Sequence, residues 1–117
     1  MKIQKRYKPL FEIEKLEEMA NLTKEDTGLD YIVWIYPKTN KEGHWARIKV
    51  QIDKNNRVPM SISDTPEWKV DSVNVPSNKG NKIKKWIVLN KEILLKYWNS
   101  EGEMSLKVVF SKLKKVK

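Results

Sequence analysis

The sequence predicts an α+β fold: an antiparallel meander of about four strands packed against a long C-terminal helix, with an N-terminal helix and a short final helix. Three observations carry this. A period of two runs through residues 30–63, a helical period holds over residues 82–98, and clusters of turn-forming residues separate the segments. At 117 residues the chain is expected to form one domain, residues 1–117, long enough for a single hydrophobic core.

Taken in order, "FEIEKLEEMANL" spaces Ile13, Leu16, Met19, Ala20 and Leu22 at helical intervals between acids. "TKEDTG" sets Thr23 three residues before Asp26, a capping-box spacing for a short helical turn, and Gly28 suits the left-handed stop after it. "DYIVWIYP" is rich in β-branched and aromatic residues and reads as a strand ending at Pro37. "KTNKEG" is the connector of a hairpin whose returning strand is "HWARIKVQI". "DKNN" makes the next turn, "RVPMSIS" a third strand and "EWKVDSV" a fourth, with Pro59 pushing the third toward an edge or a bulge.

A loop, "NVPSNKGN", leads into a helix from about Lys82 to Asn99. Ile83, Trp86, Ile87, Ile93, Leu94, Tyr97 and Trp98 share one arc of that helix, and Lys82, Lys84, Lys85, Lys91, Glu92 and Lys96 lie outside it. Gly102 breaks the chain. Leu106, Val109, Phe110 and Leu113 then mark the final helix, whose other face is rich in lysine. No internal repeat or low-complexity segment interrupts this order.

Composition narrows the chemistry. The chain has no cysteine and one histidine, which argues against a disulfide framework, a thiolate metal site or any dedicated transition-metal site. No apolar run approaches the roughly 20 residues of a membrane span, and the basic start lacks the apolar stretch of a secretory signal. A cytoplasmic protein is the expectation. The net charge of +9 is uneven: residues 81–117 carry ten basic side chains against three acids, whereas residues 1–28 balance six against six. A basic end favours anionic partners, although lysines on a wet helix face also simply confer solubility.

Enzyme signatures are missing. The sequence contains no phosphate-cradling glycine loop, no G-x-S-x-G and no H-E-x-x-H. Asp53, Asp64, Glu67 and Asp71 fall in and around turns, where acids are common. No catalytic residue, metal ligand or cofactor is assigned.

The hairpin is more informative. With Tyr36 set opposite Trp45, Trp34 faces Arg47 and Ile32 faces Lys49. Trp34, Tyr36, Trp45, Arg47 and Lys49 then share one sheet face, with His44 at its rim. Rings beside guanidinium and ammonium groups suit a ligand with a flat π-system and phosphates, since stacking contributes about 1–3 kcal/mol per base. The competing reading buries Trp34 and Trp45 under the N-terminal helix while Arg47 and Lys49 extend to water. Asn90 is the second anomaly, an amide in the apolar arc of the long helix. Left unpaired it would cost about 1–3 kcal/mol, so it either bonds backbone and fixes how the helix docks, or reaches a ligand between helix and sheet.

"TGL" (Thr27 to Leu29), "VWI" (Val33 to Ile35), the spacing of His44, Arg47, Lys49 and Val50, and "WIVLNKEILLKYW" (Trp86 to Trp98) together resemble a family of small bacterial and phage proteins with no settled function. The helix motif is the most specific part, and it is also similar to a domain found beside toxin–antitoxin-type genes. The resemblance runs from Thr27 to the C-terminus. It implies an α+β fold and groups His44, Arg47, Lys49 and Asn90, but supplies no substrate.

Three functions are in competition. The first is a non-enzymatic binder of a small anionic ligand, a nucleotide or nucleotide-derived signal, acting by sequestration as a phage anti-defence protein would. Its ligand-binding set is Trp34, Tyr36, His44, Trp45, Arg47, Lys49 and Asn90. The second is a protein-interaction module, antitoxin-like or an inhibitor of a host protein, anchored by Trp34 and Trp45; the same face would also serve a homo-oligomer. The third is nucleic-acid binding through the lysine-rich C-terminal third.

Overall fold

The computed structural model describes residues 20–38 and 45–117. Among them are four strands, β1 (Ala20–Leu22), β2 (Ile32–Ile35), β3 (Arg47–Asp53) and β4 (Asn56–Ser61). Four helices accompany them: α1 (Lys24–Thr27), α2 (Ser77–Leu89), α3 (Lys91–Asn99) and α4 (Leu106–Lys112). The strands form one antiparallel sheet in the order β1-β2-β3-β4. The α+β architecture is therefore as expected, with two corrections to which segments build it.

The first correction concerns the strands. Ala20–Leu22, expected at the end of the N-terminal helix, is strand β1, with Ala20 and Leu22 buried and Asn21 exposed. Buried, exposed, buried is a period of two, since positions two apart fall on opposite sides of a helix, and pairing to β2 fixes the strand. Residues 11–19 of that expected helix lie outside the described residues. Conversely, "EWKVDSV" contributes only an isolated bridge, Trp68 to Met60. Its backbone touches β4 twice: Ser61 N–H donates to the Glu67 carbonyl and Lys69 N–H donates to the Pro59 carbonyl, each at 3.0 Å. Pro59 has no N–H to return, so the ladder does not extend.

The second correction concerns the long helix. It starts at Ser77 and is interrupted at Asn90, whose φ of −110° and ψ of 15° leave the helical region between α2 and α3. The arc nevertheless holds: Ile83, Trp86, Ile87, Ile93, Leu94, Tyr97 and Trp98 are all buried. Most of them join Val33, Ile35, Ile48, Val50 and Met60 from one face of the sheet, together with Val109 of α4, in a single cluster. Phe110, expected on the buried side of the last helix, is exposed.

Short-range signals act as expected. Both the backbone N–H and the hydroxyl of Thr23 donate to the Asp26 carboxylate, at 2.8 and 3.1 Å. Gly28 takes the left-handed conformation at φ 83° and donates its N–H to the Lys24 carbonyl. A side chain there is excluded twice over, because a Cβ would sit 2.2 Å from the carbonyl oxygen of Val116. The C-terminal tail is thus laid across this turn, and Val116 N–H donates to the Thr27 carbonyl at 2.9 Å. No helix among the described residues is long and apolar enough to cross a membrane.

Candidate functional site

Strand alternation sends Ile48 and Val50 into the core and leaves Arg47, Lys49 and Gln51 half-buried on the other face of the sheet. The observed pairs are Trp34 with Lys49 and Ile32 with Gln51, not Trp34 with Arg47 and Ile32 with Lys49. The connector between β2 and β3 is two residues longer than the expected pairing assumed. Because side chains repeat every two residues, this slip preserves face membership. Trp34, Arg47 and Lys49 stay on one side of the sheet.

Cations and rings alternate across this side. The Arg57 guanidinium lies 3.9 Å from the centre of the Trp34 ring, whose indole N–H donates to Gln51 Oε1 at 2.8 Å. Lys49 Nζ is 5.5 Å from the Tyr36 ring, and Arg47 Nε donates to the Tyr36 hydroxyl at 3.1 Å. Tyr36 is itself buried, its ring packed edge-on against Trp98 with centroids 5.6 Å apart. Trp45 is the open member: it is 51% exposed, with the Arg47 guanidinium at 6.0 Å and Lys69 Nζ at 4.7 Å. Each contact is within cation–π range.

The roles therefore divide. Tyr36 orients Arg47, Trp34 holds Arg57 and is held by Gln51, and Trp45 presents a half-exposed ring with two cations beside it. Among the described residues, no ion pair engages Arg47, Arg57 or Lys69. The carboxylates of Asp30 and Asp64 pair elsewhere, with Lys24 and Lys79 and with Lys91 respectively. Asp30 is held well below the ordinary carboxylate range, at about 2, first by its hydrogen bond from Lys79 and then by that from Lys24.

Two members of the face escaped the sequence reading. Arg57 reaches this face through an irregularity that the sequence does not announce: the "DKNN" turn pairs Asp53 with Asn56, and a register shift between Gln51 and Asp53 sets Arg57 against Gln51 rather than Ile52. Lys69 had no sequence signal: its place depends on the single bridge at Trp68. His44 lies outside the described residues. Asn90 belongs to the helical layer, where its amide N–H groups donate to the carbonyls of Trp86 and Lys114 at 2.9 and 3.0 Å. Its oxygen accepts from Lys114 N–H at 2.8 Å. Backbone therefore satisfies the buried amide, which docks the tail against the α2–α3 junction.

No family model, curated protein or solved structure matches this chain. The functional reading rests on geometry.

Proposed function

We propose that this chain is a non-enzymatic binding protein whose outer sheet face takes a small anionic ligand with a flat ring system, a nucleotide or a nucleotide-derived signal, and that it acts by sequestering it. One observation carries the reading: the half-exposed Trp45 indole has both the Arg47 guanidinium and the Lys69 ammonium beside it. A base stacked on that ring replaces water on both apolar faces. A phosphate then meets a guanidinium already oriented by Tyr36, which favours a two-pronged contact. Lys49 and Arg57 extend the positive charge along the sheet.

Calorimetric titration with linear and cyclic nucleotides at two salt concentrations tests this, alongside a search for excess 260 nm absorbance in the purified protein. Trp45→Ala is expected to lose about 1–3 kcal/mol of binding without altering the salt dependence. Lys69→Ala and Lys49→Ala are each expected to flatten the salt dependence, because each removes a phosphate-neutralising charge. Arg47→Ala is expected to weaken binding far more than stability. A dimer that buries Trp45 and Arg47, with no nucleotide bound, would replace this reading with an assembly surface.

A further inference from the structure

The helical layer carries a second feature with different chemistry. A cleft of about 470 Å³ opens between α3 and the segment formed by α4 and the C-terminal tail. Its apolar lining is aliphatic, from Leu89, Ile93 and Leu113, and its cations are Lys96, Lys112 and Lys114. The acid in the lining is Glu92, which lies 3.8 Å from Lys96 with its side chain 87% exposed. Among the described residues, neither Lys112 nor Lys114 pairs with a carboxylate.

The wall of the cleft is fixed rather than loose. Asn90 grips both the N–H and the carbonyl of Lys114, and two residues on, Val116 bonds Thr27 over the bare backbone of Gly28. The tail is held at both points, so Lys112 and Lys114 are presented to the cleft by an anchored backbone.

We propose that this cleft binds a soluble phosphate monoester with an aliphatic body, an alkyl phosphate. The volume is in the range of small-molecule sites, about 300–1,000 Å³. Three ammonium groups against one carboxylate leave an excess of two positive charges, which matches a phosphate monoester of charge about −1.5 to −2. Lysine ammonium groups are point charges with rotatable donors, suited to phosphate oxygens approached from several directions. Among the described residues no aromatic ring lines the cleft, so it offers an aliphatic chain the side chains of Leu89, Ile93 and Leu113 and gives a base nothing to stack on. The site is independent of the sheet face.

The test uses n-octyl phosphate below its micellar concentration, with octanol and inorganic phosphate as its two halves, followed by calorimetry and amide NMR shifts. Octyl phosphate should shift the amides of Ile93, Leu113 and Lys114 and the side-chain amide of Asn90. It should bind about tenfold or more tighter than either half, a gain equivalent to burying roughly two methylenes. Lys112→Gln and Lys114→Gln should each weaken it about two- to fivefold with an unchanged melting temperature, and Trp45→Ala should leave it untouched. Equal affinity for octanol, indifference to both lysine variants, or shifts confined to the Trp45 region would each overturn the proposal. Binding to phosphatidate vesicles without binding of octyl phosphate would overturn it as well, in favour of a membrane surface. Nucleotide binding at Trp45 is a separate result, so either site can fail alone.

Discussion

Ile48 and Lys49 are neighbours on β3, yet they report on different physics. Ile48 is fully excluded from water and packs with side chains from both layers, whereas Lys49 points to the other side of the sheet and leans on the Tyr36 ring. The inner face is held by removing aliphatic surface from water. The outer face is held by rings and cations that solvent still reaches, and it is the face with groups to offer a ligand. A strand that alternates this way separates stability from recognition, one residue apart.

That separation can be broken most directly by substituting the two neighbours. Ile48→Ala should destabilise by about 2–5 kcal/mol, through lost transfer energy and the cavity left behind. Lys49→Ala should cost well under about 1 kcal/mol. Urea unfolding of both variants measures the contrast. If Lys49→Ala proves as costly as Ile48→Ala, the outer face is a structural layer and its availability to a ligand falls with it.

Asn90→Leu probes the same contrast from the helical layer, where a polar group sits inside. The new side chain is apolar and close in size, but it strands the N–H and carbonyl of Lys114 and removes a bond to the Trp86 carbonyl. A loss of about 1–3 kcal/mol is expected in thermal unfolding. Weakened hydrogen-exchange protection at Val116 should accompany it as the tail detaches. A variant as stable as the parent, with the tail still protected, would mean that packing alone docks the tail.

How much of this was legible follows from what each feature depends on. The buried arc of the helices survived the break at Asn90, because Ile83, Trp86 and Ile87 are one helix's face and Ile93, Leu94, Tyr97 and Trp98 another's. The break falls at Asn90, a residue type that prefers helix caps to helix interiors, but the tail that Asn90 grips is a tertiary contact with no local signal. The outer face was legible despite a wrong register, since the error was two residues and side chains repeat every two. An error of one would have exchanged the faces. β1 was not legible because three residues are too few for a period to show itself, and Lys69 was not because a single bridge places it.

The smallest expected effect sharpens the comparison between the two ways cations are satisfied here. Arg47, Arg57 and Lys69 rest against rings, while Lys24 and Lys79 share the carboxylate of Asp30. Rings do not titrate, but Asp30 does. Its folded carboxyl is held at about 2, below the ordinary value of 3.8, so the folded state binds its proton less readily than the unfolded chain does. The stabilisation it contributes is whole above about pH 4 and is lost as pH falls through about 2. Lys79 is shifted upward by the same partner, so its share persists at neutral pH and is lost only in strongly alkaline solution. Because these groups are exposed, solvent screens them and the effect is slight. Asp30→Asn should melt slightly below the parent at pH 7, and the two curves should converge as pH approaches 2. Arg57→Ala, by contrast, should keep a constant offset from the parent across that range. Parallel melting curves for Asp30→Asn at all pH values would show that the carboxylate is not what holds Lys24 and Lys79.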